Sequence, residues 1–220
     1  KGKIGFFKTS SHEIIEIEKC LIADERINEK LKRIAFPPAA NDVEVRVDGL
    51  RTFAQVNDPQ NENMVKLVLD FADPKPEEKI VDLYCGAGNF TFPLAQSGAS
   101  VTGIEKNGAE LEEARKRGEK GNIRWIQQTA FSALVGLKGD GVTCDTLVAD
   151  PPRRGLAEAV EGVIALKPKK IVYVSCNPAT FARDAGHLAK AGYVLEKCQP
   201  LDMFPHTSHV EIVSLFKWFG

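Results

Sequence analysis

From Lys79 onward the chain repeats one pattern: a short apolar run rich in β-branched residues, an amphipathic stretch, then another apolar run. Strands that read as continuous apolar runs are buried on both faces, and alternating them with helices builds a parallel sheet covered on both sides. The pattern predicts strands at Ile80–Tyr84, Ser100–Glu105, Ile123–Gln127, Thr146–Asp150 and Lys170–Ser175. Helices are predicted around Phe90–Gln96, Gly108–Gly118, Leu156–Leu166 and Pro178–Ala191. Two further strand-like runs, "YVLEKCQP" and "HVEIVSLFKWF", are joined by "LDMFPHTS" and end the sheet in a hairpin-like pair. The expected fold class is therefore α/β, doubly wound and mostly parallel, with an antiparallel strand near one edge.

The first 50 or so residues read differently. An alternating "EIIEIEK", a charged helix-like "DERINEKLKRI", a "FPPAAND" breaker and an alternating "VEVRV" suggest part of a small α+β region, after which a helix over Asn61–Phe71 leads into the sheet. With 220 residues, 43% of them hydrophobic and 27% charged, there is material for one sizeable core and a small attachment, which excludes disordered and fibrous classes. No apolar run approaches the roughly 18–20 residues of a membrane span, and the start lacks a signal-like core, so a cytoplasmic protein with no membrane partner is expected. The chain begins at Lys1 rather than methionine, and further sequence upstream is expected. Five widely spaced cysteines without a C-x-x-C pair argue against a disulfide framework and a self-contained zinc site. A net charge of −1 gives no global pull towards nucleic acid.

"DLYCGAG", Asp82 to Gly88, ends the first core strand in the form D-x-x-x-G-x-G. Glycines let the chain turn tightly against a ligand, and the following helix offers its positive N-terminus. Glu105 ends the next strand at roughly the 20-residue distance where a carboxylate accepts hydrogen bonds from ribose hydroxyls. Gly86 and Gly88 are followed by Asn89, Phe90 and Thr91 rather than by a third glycine, which disfavours a dinucleotide and favours S-adenosylmethionine. A glycine turn that binds nothing is the alternative.

"LVADPPRRG" places Asp150 at the carboxyl end of the fourth strand, either in the ligand crevice or as a helix-capping aspartate. Amine methylases often follow such an acid and its two prolines with an aromatic, and here Arg153 stands in that place. Cys176 ends the fifth strand, before Asn177 and Pro178. It is either a small core residue or a nucleophile that needs neighbouring charge or a helix N-terminus to ionise. In "HVEIVSLF", Glu211 shares an otherwise apolar strand face, so it sits at a solvated end or serves proton chemistry. His206, His209 and Glu211 form H-x-x-H-x-E, but Pro205 spoils the helical spacing of hydrolase metal motifs.

Together, "FAQVN", "DLYCGAGNFTFPLA", "DPPRRGL", "YVSCNPATFARD" and "LDMFPHTSHVE" resemble the RNA uracil-5-methyltransferases from about Arg51 to the C-terminus, and "DMFPHT" is closer to their ribosomal RNA branch. The resemblance implies a Rossmann-like methyltransferase fold over 51–220, with 1–50 left from a central or RNA-binding domain. It implies that Cys176 adds to carbon 6 of uracil and that Glu211 removes the carbon-5 proton. Gln55, Tyr84, Gly86, Gly88, Asn89, Glu105 and Thr129 would line the S-adenosylmethionine site, with Asp150 between cofactor and uracil and Arg153 on the substrate side. The implied partner is RNA, ribosomal by the branch, bound by a monomer that flips the target base out of its stack. Transfer RNA uridine, cytosine-5 methylation and a non-catalytic RNA- or cofactor-binding fragment stay open as alternatives. "EIEKCLIA" resembles the segment that carries the last of four cysteines around a four-iron four-sulfur cluster in some members; the other three would lie upstream of Lys1, so Cys20 is either a remnant ligand of a cluster in the full-length protein or a buried thiol.

Overall fold

The computed structural model describes residues 5–8, 11, 13–20, 23, 25–33, 58–118, 121–203 and 209–219. The chain divides into two units, Lys1–Val56 and Asn57–Gly220. In the first, strands β1 (Gly5–Phe7) and β2 (Ile14–Glu16) pair antiparallel, and helix α1 (Glu25–Leu31) follows. Buried Asn28 of α1 accepts a hydrogen bond from Cys20 N at 2.8 Å and donates one to Cys20 O at 3.0 Å, so an amide side chain satisfies that backbone where no strand does. The "VEVRV" run lies outside the described residues.

The second unit contains, in chain order, α2 (Asp58–Ala72), β3 (Lys79–Leu83), α3 (Thr91–Gln96), β4 (Ser100–Glu105), α4 (Gly108–Arg117), β5 (Ile123–Gln127) and α5 (Ala130–Gly139). Then come β6 (Thr146–Ala149), α6 (Ala159–Leu166), β7 (Lys170–Ser175), α7 (Pro178–Lys190), β8 (Tyr193–Leu201) and β9 (Glu211–Trp218). The sheet order is β5-β4-β3-β6-β7-β9-β8. Its first five strands are parallel, and β9 runs antiparallel to both neighbours.

Strands β3, β6 and β7 are buried on both faces because each face has a cover. On one side Leu83, Leu147, Ile171 and Phe216 join Leu134 of α5, Val163 of α6 and Leu188 of α7 in one core cluster. On the other, Ile80, Val148, Val172 and Leu215 join Met64 and Val68 of α2 and Leu94 of α3. Each of these larger side chains contributes roughly 1.5–3 kcal/mol when fully buried.

Helix α5 is the element that periodicity does not reveal. In "AFSALVGLKG" the core face, Ala133, Leu134 and Leu137, is blurred by exposed Phe131 and Val135, so the stretch is apolar nearly all round. It packs beside α6 because Gly162 has no side chain there: a Cβ would come within 2.9 Å of Leu134. Helix α6 starts at Ala159 instead of Leu156, since Gly155 and Ala157 take φ of 73° and 48° and break the helical path. No described helix is long and apolar enough to cross a membrane.

Candidate functional site

The chain leaves β3 towards β4 on one side and later returns to place β6 on the other. The loops that follow β3 and β6 therefore diverge, and a crevice opens at the carboxyl ends of the strands. Thr129, Glu105, the Tyr84–Asn89 turn, Asp150, Cys176 and Glu211 fall at the ends of β5, β4, β3, β6, β7 and at the start of β9. They cross the sheet in that order, cofactor candidates on one half and reactive candidates on the other. Gln55 and His206 lie outside the described residues.

The turn after β3 is strained for a purpose. Tyr84, Gly86 and Gly88 have φ of 60°, 53° and 88°, and a tyrosine in the left-handed region costs about 1–3 kcal/mol. Gly88 N donates to Cys85 O at 2.8 Å, and a Cβ on Gly88 would meet the Phe92 ring at 2.6 Å. Gly88→Ala combines backbone strain with overpacking and is expected to destabilise the fold by about 3 kcal/mol, read as a lowered urea midpoint with an unchanged slope.

Glu105, buried at the end of β4, accepts from Gly86 N at 3.4 Å and from Asn107 N at 2.8 Å. Two backbone donors fix its carboxylate while each oxygen keeps a lone pair for a ribose hydroxyl. Asp82 is fully buried: one oxygen accepts from Thr91 Oγ1 at 2.6 Å, and Oδ1 has no partner. Burial, with Glu105 adding repulsion, pushes its pKa up to about 7 against the Thr91 hydrogen bond. Asn89 exchanges amide hydrogen bonds with Asn61 of α2, at 2.9 and 3.1 Å. Arg117 Nη1 donates to Ala87 O at 2.9 Å while its guanidinium lies 4.9 Å from the Phe92 ring centre. Glycines at positive φ, an aimed carboxylate and an orphaned buried oxygen fit an adenosine-type ligand. Thr129 caps α5 by accepting from Ser132 N.

On the reactive half, the β7–β9 register pairs Ser175 with Ile212. One further step along it sets Cys176 opposite Glu211, the distance of a cross-strand neighbour. Cys176 is a free, half-buried thiol at the crevice rather than a core residue. Glu211 is 8% exposed, so it is not a solvated strand end. Asp150 caps no helix, because α6 begins only at Ala159.

These groups shift one another. Burial pushes Glu211 up to about 7, partly offset by Arg153. Asp150 is pushed up to about 8 by burial first and then by Glu211 and Asp82. The Cys176 thiol also moves up, through burial, Glu211 and Asp150, with Arg153 pulling the other way. Burial and two carboxyls thus outweigh the lowering by Arg153.

Arg153 touches His209 Nδ1 at 3.5 Å, and its carbonyl accepts from Asn177 Nδ2 and Thr180 Oγ1, both at 3.1 Å. Asp184 was not singled out by the sequence reading, although the signal was there: with Phe181 and Leu188 it lies on the buried stripe of α7, where a charge needs partners. Asn61 carried no such signal. Cys20 has no second cysteine in its unit, and no group of three potential metal ligands occurs among the described residues, so these residues do not fit an iron–sulfur cluster.

The family model described as tRNA (Uracil-5-)-methyltransferase matches residues 39–217. The chain is 43% identical over 171 residues to the 23S rRNA (uracil(1939)-C(5))-methyltransferase RlmD of Histophilus somni, covering 76% of this chain and 39% of that protein. It is likewise 43% identical over 168 residues to the enzyme of the same name from Pseudomonas aeruginosa, covering 75% and 37%. The chain thus spans about two fifths of the length of these curated relatives. Among solved structures it is similar to the Pyrococcus abyssi tRNA (uracil-54, C5)-methyltransferase in complex with S-adenosyl-L-homocysteine, at a TM-score of 0.63 and 37% identity, over 78% of this chain and 43% of that one. A match over residues 39–217, most of the sequence, means that the chain belongs to the tRNA (uracil-5-)-methyltransferase family.

Proposed function

We propose that this chain is the methyl-transferring part of an RNA uracil-5-methyltransferase that uses S-adenosylmethionine and acts on ribosomal RNA through a covalent cysteine adduct. The observation that carries the proposal is the strand register that sets Cys176 opposite Glu211, with Asp150 one strand away. On this reading residues 51–220 form the methyltransferase domain, residues 1–50 belong to a central or RNA-binding region, and the protein works as a monomer in the cytoplasm. That the curated relatives at 43% identity are ribosomal RNA enzymes supports ribosomal RNA.

S-adenosylmethionine, when bound, supplies an electrophilic methyl group. Glu105 would accept from its ribose hydroxyls, and the Gly86–Gly88 turn, Tyr84, Asn89 and Thr129 would line the site, to which the family resemblance also assigns Gln55, outside the described residues. Carbon 5 of uracil is too weak a nucleophile to be methylated directly, so the Cys176 thiolate forms a bond to carbon 6 and moves the ring's electron pair towards carbon 5 and O4. Asp150, protonated near neutral pH, stands where it can donate to the uracil edge, and Arg153 faces the incoming nucleotide. Once carbon 5 is methylated, the Glu211 carboxylate takes the carbon-5 proton. The electron pair of that C–H bond then re-forms the ring double bond, and the thiolate leaves. The base must leave its stack, which costs about a few kcal/mol and less in loop RNA.

The proposal is tested by incubating the protein with S-adenosylmethionine and RNA containing 5-fluorouridine. Fluorine cannot be removed as a proton, so a methylated protein–RNA adduct should persist, visible by mass. No adduct would overturn the reading, and methylcytidine in digested product RNA would replace uracil by cytosine. Sequencing methylated positions with and without the gene identifies the RNA. A separate expectation concerns the cofactor half: Asn61→Leu strips Asn89 of its amide partner and should raise the Kd for S-adenosylhomocysteine about tenfold by calorimetry. Unchanged affinity would mean that Asn89 does not face the ligand.

A further inference from the structure

Asp184 is 1% exposed and satisfied on every side. One of its oxygens accepts from Tyr173 Oη of β7 and from Leu156 N, both at 2.8 Å. The other accepts from Arg183 Nε at 2.9 Å and Nη2 at 2.8 Å, and the same Nη2 donates to Arg154 O at 2.7 Å. Gly155 is required beside it: its φ is +73°, and a Cβ there would lie 2.3 Å from the Asp184 carboxylate. Asn177, the N-cap of the same helix, and Thr180 on its first turn hold Arg153 O. The carbonyls of Arg153 and Arg154 and the N–H of Leu156 are thus all fastened to α7, the helix that starts directly after Cys176. A loop of this kind, crossing the mouth of a crevice, would otherwise be free to move.

We propose that Asp184 is the positioning residue of this site: it docks the Pro151–Leu156 loop on α7 and so fixes Arg153 beside Cys176 and Glu211, touching neither RNA nor cofactor. The inference rests on the reading of Cys176 as nucleophile and Glu211 as base. The groups that face Cys176 are Glu211 from β9, Asp150 from the end of β6 and Arg153 from the loop, while the first turn of α7 brings no acidic residue. Arg153 is the cation among them, and His209 is its neighbour. Releasing the loop removes the positive charge that, among the described residues, favours the thiolate.

The test is the rate at which iodoacetamide alkylates Cys176, followed peptide by peptide across pH in the full chain, since this needs neither RNA nor methyl donor. Asp184→Asn turns an amide towards Arg183 and should slow alkylation at pH 7.5 by about fivefold and move its pH midpoint up. Arg153→Gln should give the same shift, and the double variant should add nothing further. Thr180→Val, which removes one hydrogen bond to Arg153 O, should slow alkylation by about twofold and serves if Asp184→Asn does not fold. A folded Asp184→Asn protein with a lower melting temperature and an unchanged alkylation profile would overturn the proposal, as would an unchanged profile in Thr180→Val. A failed 5-fluorouridine adduct alongside a shifted alkylation profile would count against the methyltransferase mechanism alone.

Discussion

Alanine in place of Cys176 is expected to abolish the adduct with 5-fluorouridine RNA and to lower methyl transfer by about four orders of magnitude or more. Within residues 57–220 no other thiol among the described residues is placed to substitute. Cys85 is buried behind the glycine turn, where burial and the Asp82 and Glu105 carboxyls push its thiol far up, and Cys144 is buried as well. Cys198 is exposed on β8, the edge strand. The fold should barely notice the change, because Cys176 is only half buried and alanine fills most of its volume. The loss should therefore appear in kcat with little change in melting temperature. An adduct that survives in Cys176→Ala would end the assignment.

Glu211→Gln is expected to stall after methylation, so that ordinary uridine RNA accumulates as a methylated adduct that the wild-type protein releases. Product formation should fall about a thousandfold while adduct formation persists. Full turnover by this variant would point to another base. In the wild type the base acts as a carboxylate with a pKa of about 7, so the release step should rise with pH through that value and level off above it. Stability runs the opposite way. The folded pKa lies above the ordinary 4.5 of glutamate, so the folded state binds more protons, and the associated stability is fully present below pH 4.5 and lost as pH rises through about 7. Glutamine does not incur that loss. Glu211→Gln should therefore melt a few degrees above wild type at pH 8, a gain of roughly 2 kcal/mol, and show little difference at pH 5.

How much of this was legible beforehand differs by element. Strands β4 and β7 begin and end where their apolar runs do, because burial on both faces writes itself into composition, and the half-exposed edge strand β5 also keeps the bounds of its run. The helix α5 is invisible to periodicity since its outer face is also apolar, and the register of β7 against β9 depends on pairing between residues far apart in the chain. Glu211 could be seen as an anomaly on an apolar face, but its place opposite Cys176 could not. Roles for Tyr84, Asn89 and Thr129 came through family likeness, whereas Asn61 and Asp184 act through other residues, and such support rarely leaves a motif.

The insertion of β9 between β7 and β8 imposes an order on assembly. Among the described strands β8 pairs with β9 alone, so it can join the sheet only with or after β9. Until they do, the half of the sheet that ends in Thr129, Glu105 and the glycine turn can already be folded, while Cys176 sits on a bare strand edge without its base. Maturation would thus pass through a species able to hold a methyl donor yet unable to complete a catalytic cycle. Anything that pries β9 loose would return the finished protein to that same silent form.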